Sequence, residues 1–243
     1  MSELHKNNKA VKQLPDWEDV LSSATRLQEL IPNTTLVGGS ASAFYAGHRL
    51  SVDADHVLTD LRDHFDEVLA ALESVAGWKT ARIKRPVLIL GSLDGIETGI
   101  RQLIRSAPLE TCQFNVNGKL LQVPTEQEML RIKAVLILKR NSTRDYLDFV
   151  ALADHLGNSG VISGMDKFDQ FYPQDNGESV TQQLQIQLAN PLPFDLEDMD
   201  LSQYKKLDER WHNWANVKGE AQNLSLMIMR DVLSKTPAGS PSM

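Results

Sequence analysis

The chain has a single cysteine, Cys112, in 243 residues. That excludes an intramolecular disulfide and a zinc cluster built on cysteines, and it fits a reducing compartment. Cys112 reads as a small packing residue. The six histidines show no His-x₃-His pair or similar metal-ligand spacing. No apolar run approaches the length that spans a bilayer. The first residues, Met1-Ser2-Glu3-Leu4-His5-Lys6-Asn7, lack the apolar core of a signal peptide. A cytoplasmic protein with no membrane partner is expected. Positive charge is also short: the formal net charge is −7, which argues against a general nucleic-acid coat. What is present, 42% hydrophobic and 23% charged residues, describes a globular chain of one large domain or two small ones.

One run carries chemistry. Thr35-Leu36-Val37 is short, β-prone and apolar, and it ends at Gly38-Gly39-Ser40. This predicts a buried strand, a turn, and a short helix over residues 41–46 that stops near Gly47. Glycines let the backbone approach an anion closely, and the amides at a helix start face it. The Ser40 hydroxyl would add a donor for a phosphate oxygen. From Leu50 to Val57 the pattern alternates, with Ser51, Asp53 and Asp55 on one side. Side chains at i and i+2 of a strand share a face. Two neighbouring carboxylates repel each other unless a cation lies between them. Mg²⁺ takes oxygen ligands and usually binds through one or two carboxylates plus substrate phosphates. Metal-assisted phosphoryl chemistry is the reading that uses both halves of the run.

A second constellation follows. Thr125 to Glu128 has the form of a capping box, with Thr125 as N-cap and Glu128 three residues on. Met129, Ile132, Val135, Leu136 and Leu138 give the helix an apolar face. Lys133 lies beside it and requires an anionic partner, either a triphosphate or Asp148. Asn141-Ser142-Thr143 breaks the pattern, and a second helix begins at Arg144-Asp145-Tyr146-Leu147-Asp148. Asp148 is either a dipole-stabilising acid or part of a site. Arg144 and Asp145 are either surface charges or members of the same site.

Taken in order, these residues resemble the AbiEii-type nucleotidyltransferases. Those are the toxin halves of type IV toxin–antitoxin systems, related to the mycobacterial MenT toxins. Gly38, Gly39, Ser40 and Ala41 match the family's first motif. Arg49, Ser51, Asp53 and Asp55 match Arg-x-Ser/Thr-x-Asp-x-Asp. Lys133, Arg144, Asp145 and Asp148 match the third. The resemblance covers roughly residues 30 to 156.

It implies an α+β fold: a polymerase-β-like nucleotidyltransferase core, a small mixed sheet flanked by helices, followed by a mainly helical C-terminal part. It also implies that Gly38, Gly39 and Ser40 hold a triphosphate, with Arg49, Lys133 and Arg144 as further nucleotide contacts. Asp53 and Asp55 would bind Mg²⁺ (or Mn²⁺), and Asp148 would be a catalytic or orienting acid. The implied reaction moves a nucleoside monophosphate from an NTP to RNA, with tRNA the acceptor in relatives and an antitoxin protein as partner. Two alternatives are a protein side chain as acceptor and a degenerate NTP-binding sensor. The sequence departs from the family pattern at His56, which predicts an early end to the strand. It also lacks an obvious third carboxylate, for which Glu97 on a strand near 96–104 is the candidate.

The organisation along the chain reads as a core over 1–156 and a helical region over 157–243, with a soft boundary between them. Residues 1–15 and 237–243 read as loose. A helix is predicted over Trp17–Leu30 and another from Asp60 to Ala76. Strands are predicted near 79–84, 86–91, 96–104 and 111–123, the last a hairpin turning at Asn117-Gly118. Basic residues gather at Lys79, Arg82, Lys84 and Arg85, at Arg101 and Arg105, and at Arg131, Lys139, Arg140 and Arg144. They are either an ordinary solvated surface or a field that steers RNA or triphosphate. Trp211 and Trp214 are either core or a platform for stacking bases.

Overall fold

The computed structural model describes residues 16–105 and 107–235. The expectations for 1–15 and 237–243 lie outside these residues. Helix α1 (Trp17–Leu30) forms as its periodicity requires. Asp16 accepts from the Asp19 amide, Asp19 returns the bond, and Val20, Leu21, Ala24 and Leu27 make the buried stripe. Strand β1 (Thr35–Leu36) leads into α2 (Gly38–Ala46), which Gly47 closes in the left-handed conformation. The helix begins at Gly38 rather than at residue 41, so the glycine pair forms its first turn. Strand β2 (Asp53–Leu58) runs straight through His56. The early end expected there does not occur. His56 is fully buried and its Nδ1 lies 2.9 Å from the Ala54 carbonyl. Burial holds its pKa down to about 4, so it sits in the core as a neutral ring.

Helix α3 (Phe65–Glu73) is shorter than expected at both ends. Leu61 is pulled completely into the core and residues 59–64 turn instead of coiling. At the far end the Ser74 hydroxyl donates back to the Ala71 carbonyl at 2.7 Å, a local bond that competes with helix propagation. Strands β3 (Trp78–Lys84), β4 (Leu88–Leu93) and β5 (Ile96–Gln102) complete a five-stranded sheet in the order β1-β2-β5-β4-β3. The β2–β5 pair is parallel and the other pairs are antiparallel. One face, with Leu58, Trp78, Ile89, Leu93 and Ile100, packs under α1 and α3. The opposite face carries the candidate site.

A separate hairpin, β6 (Thr111–Val116) and β7 (Lys119–Pro124), turns at Asn117-Gly118, both at positive φ. It is clipped to α1 by Gln28, which bonds both the amide and the carbonyl of Gln122. Helices α4 (Glu126–Arg140) and α5 (Thr143–Met165) follow, with α5 kinked at Gly157. Then come α6 (Phe168–Phe171), α7 (Val180–Ala189) and α8 (Trp214–Lys235). The larger core cluster runs from α1 and α2 through α4 and α5 to α7 and α8, on both sides of Gly157. Of the capping box at Thr125, the forward half forms: the Thr125 hydroxyl accepts from the Glu128 amide. Glu128 turns inward to Arg105 and Arg131 instead of returning the bond. Trp211 is buried, and Trp214 meets Tyr146 edge-on at 5.8 Å. These two rings are core.

Gly91 on β4 leaves room for the Trp78 ring, which a Cβ would approach to 2.6 Å, with the Lys79 carbonyl equally close. Gly91→Ala is expected to lower stability by about 1–3 kcal/mol through overpacking, read as a shift in the urea midpoint at unchanged slope.

Candidate functional site

Strand β2 presents its residues alternately. Ala54, His56 and Leu58 are buried under α1, and Asp53 and Asp55 project from the other face. Their backbone is fixed from three sides. The Val37 amide donates to the Asp55 carbonyl at 2.8 Å, the Ser40 hydroxyl donates to the Asp53 carbonyl, and the Thr98 hydroxyl donates to the Ala54 carbonyl. Ser40 is thus fully buried and committed to the strand. The sequence expectation of a hydroxyl aimed at phosphate is corrected on this point. Ser51 donates to Asp53 Oδ1 at 2.7 Å and orients that carboxylate.

The glycine turn lies directly opposite. Gly38 takes φ +75°, and a Cβ there would sit 3.4 Å from the Asp55 Cβ. At Gly39 a Cβ would fall 2.5 Å from Arg49 Nη2 and 2.7 Å from Ser51 Oγ. Glycine here is what lets the arginine pass.

Arg49 passes in order to reach Asp148. Its Nε and Nη2 donate to the two carboxylate oxygens at 2.8 and 3.1 Å. Lys133 Nζ lies 2.7 Å from Asp148 Oδ2, and His48 Nε2 lies 2.8 Å from Oδ1. All four residues are buried. Burial alone would push the Asp148 carboxyl upward. Arg49, Lys133 and the His48 hydrogen bond overcome that and hold it well below the usual carboxylate range. The catalytic acid implied for Asp148 is therefore an interior charge centre. Lys133 has the protein partner of its two open possibilities, and Arg49 braces the glycine turn from below. His48 was not singled out by its own type. Its signal was its place beside Arg49 in the second motif. Asp145 is also buried, held bidentately by Arg140 at 2.7 and 3.0 Å and by Ser142 at 2.8 Å. Arg105 and Arg131 pair with the buried Glu128 at 2.7 and 2.8 Å. These two cations are internal and drop out of any basic surface.

Two cavities meet at the carboxylates. One, of about 650 Å³, is lined by Asp53, Asp55, Glu97, Arg101, Arg144 and Lys79. The other, of about 200 Å³, reaches from Gly38, Gly39, Asp53 and Asp55 to an apolar end at Val57, Leu103, Ile132 and Leu136. Arg144 is exposed and lines both, and Arg101 Nε lies 3.9 Å from Asp55 Oδ1. Burial and the neighbouring Asp53 raise the Asp55 pKa, while Arg101, Arg144 and Lys133 oppose that rise. Glu97 sits in direct register with Asp53 across the parallel pair and is exposed. Among the described residues no group of three or more acids, histidines or cysteines is gathered tightly enough to cage an ion. The donor set is all oxygen, and burial together with the repulsion between Asp53 and Asp55 outweighs the relief from the nearby cations. It fits a hard divalent cation that keeps waters and completes its shell with ligand phosphates, rather than an ion held wholly by protein.

No protein-family model matches the chain. In sequence, 99 residues, 39% of this chain, are 39% identical to a stretch covering 10% of the heme uptake protein MmpL11 of Mycobacterium tuberculosis (strain ATCC 25618 / H37Rv). The chain thus spans about a tenth of the length of the curated relatives it matches. In structure, JHP933 from Helicobacter pylori superposes with a TM-score of 0.50 at 14% identity, covering 92% of this chain and 96% of that chain. The chain shares that fold. It is the α+β class read from the sequence, a small mixed sheet flanked by helices and followed by a mainly helical part. A putative nucleotidyltransferase from H. pylori gives a TM-score of 0.49 at 14% identity over 90% of this chain and 96% of that chain.

Asp148→Asn leaves three buried basic groups without their counter-charge. A loss of about 3–5 kcal/mol is expected. Because the folded pKa is depressed, the wild-type contribution is fully present above the unfolded carboxyl value and fades as pH falls through the folded one. Urea midpoints measured from pH 7 down into the acid range should therefore fall less steeply for Asp148→Asn than for the wild type.

Proposed function

We propose that the chain is a divalent-metal-dependent nucleotidyltransferase. It moves a nucleoside monophosphate from an NTP to an RNA acceptor, with a tRNA 3′ end as the expected acceptor. In this reading it is a cytoplasmic toxin of the AbiEii type, neutralised by a cognate antitoxin. The observation that carries the proposal is the placement of Asp53 and Asp55 side by side on the open face of β2, against the entry of α2 at Gly38. The ordered match of all three motifs supports it.

In this mechanism the amides at the start of α2 face the triphosphate. Arg101 and Arg144, both exposed on the cleft wall, offset charge on the phosphates. Asp53, pre-aimed by Ser51, and Asp55 would hold Mg²⁺ or Mn²⁺, with Glu97 as an outer ligand. That ion would supply charge neutralisation at the phosphoryl oxygens. The acceptor hydroxyl must lie in line with the α-phosphorus, and the bond to the departing pyrophosphate breaks as the new ester forms. Asp148, Arg49 and Lys133 act at one remove, by fixing the turn and the strand. That no three acids are gathered closely enough to cage an ion, among the described residues, favours a second reading, an NTP sensor without turnover.

Asp53→Ala is expected to cut transfer of labelled NTP to total RNA by on the order of 10³-fold, since metal stabilisation of the transition state is worth several kcal/mol. Its circular dichroism should match the wild type. Equal labelling by the two proteins would end the assignment, and tight NTP binding without pyrophosphate release would favour the sensor.

A further inference from the structure

The sheet has an uncovered side, and a row of cations runs along it. Strand β3 is the outer strand of the sheet, and six of its seven residues, 79–84, are exposed. Its pairing with β4 is interrupted between Thr80 and Arg82 by a register shift. Before the shift Lys79 pairs with Ser92, after it Arg82 pairs with Leu90, and Lys84 pairs with Leu88. Partners in an antiparallel pair share a face. Continuing through β5, Ser92 pairs with Glu97 and Leu88 with Arg101. The extra residue therefore changes the phase of the strand. Without it Lys79 and Arg82, three apart, would project from opposite faces. With it Lys79, Arg82 and Lys84 all stand on the face that holds Asp53 and Asp55. Re-aiming side chains near a site is a recurrent use of bulges.

The row is electrically open. Arg85 next to it pairs with Asp66 across the edge, but Lys79, Arg82 and Lys84 have no ion pair with any described residue. Lys79 already lines the larger cavity together with Arg101 and Arg144. Three strand spacings, about 14 Å, separate β3 from β2. Between them the face carries Leu90 and Gly99, where Leu90 leans so far over the glycine that a Cβ would meet it at 2.5 Å, and beside them the polar pair Ser92 and Glu97, in register between Lys79 and Asp53. A row of cations with no ion pair among the described residues, beside an apolar step at Leu90 and Gly99 and on a chain of net charge −7, is complementary to an extended polyanion with flat apolar groups whose phosphates keep to the β3 side, away from Glu97.

We propose that this face is the track of the acceptor strand. A single-stranded nucleic acid lies across β5 and β4 with its backbone along Lys79, Arg82 and Lys84 and its reacting end at Asp53 and Asp55. This rests on the reading of the carboxylates as a nucleotidyl-transfer site.

The test is the triple variant Lys79→Ser, Arg82→Ser, Lys84→Ser against wild type, with a labelled single-stranded RNA oligonucleotide titrated at several salt concentrations. Three lost phosphate contacts should reduce the slope of log K against log salt by about 2 and weaken binding on the order of 10²-fold at about 0.1 M salt. The melting temperature should be unchanged, and so should the free-NTP affinity of the double variant Arg82→Ser, Lys84→Ser, which keeps the cavity-lining Lys79 and should still lose RNA affinity. RNA affinity and slope equal to wild type would overturn the track. So would a wild type that binds NTP but no RNA, or polyglutamate held as tightly as RNA with the same loss in the variant, which would mark an acidic protein partner. Loss of NTP binding on Asp53→Ala is read separately, so the track fails independently of the transfer site.

Discussion

Asp148 is a carboxylate enclosed on every side, and it stays ionised because two cations and an imidazole converge on it. Its partners come from places far apart in the chain. His48 and Arg49 precede β2, Lys133 is on α4, and Asp148 itself is on α5. The charge cluster therefore ties the sheet to the helices. Arg49 carries the link further: its guanidinium lies 5.6 Å from the ring centre of Tyr204, beyond α7. Nearby, the Lys205 carbonyl accepts from the Leu50 amide at 2.7 Å. A hydrophobic cluster of the same volume would pack as well or better, but it would not fix direction. Here direction matters, because Arg49 decides where the glycine turn sits.

The proposed site rests on a contrast between Asp148 and Asp55. Asp148 is fully enclosed and Asp55 half-buried, and both have cations in view. In Asp148 those cations are at hydrogen-bond distance and the acid is held well below its ordinary range. In Asp55 the nearest is at 3.9 Å, a second carboxylate lies two residues away, and the acid is pushed up. One charge is settled inside the protein, and the other has no cation at hydrogen-bond distance among the described residues. Perturbed acids of the second kind, in a cleft, are where ligands act.

Much of this was legible in the sequence, and for identifiable reasons. Helix α1, the hairpin at Asn117-Gly118 and the carboxylate pair on β2 follow from local patterns that no distant contact opposes. The apolar stripe over Leu61 to Val75 was equally clear, yet it overstated α3 at both ends. The same stripe can be buried by a turn when the core takes Leu61 directly. The roles of Ser40, Asp145, Arg105 and Arg131 were hidden because each is decided by a partner the local pattern does not reveal. Ser40 reaches Asp53, thirteen residues on, and Arg105 reaches Glu128. Polar residues at such positions read as surface or site in one dimension and prove to be struts in three. The register shift in β3 left no mark either, since a bulge depends on the partner strand as much as on its own residues.

The missing side chain at Gly39 has a consequence for variation. The volume a methyl group would occupy is already filled by the guanidinium of Arg49 and the hydroxyl of Ser51. No one of the three can enlarge or swing aside alone, because Arg49 is anchored at Asp148 and Ser51 at Asp53. Substitutions at these positions are thus coupled rather than additive. Related chains should exchange them as a set, and a lone alanine at 39 should appear where the arginine has already been shortened.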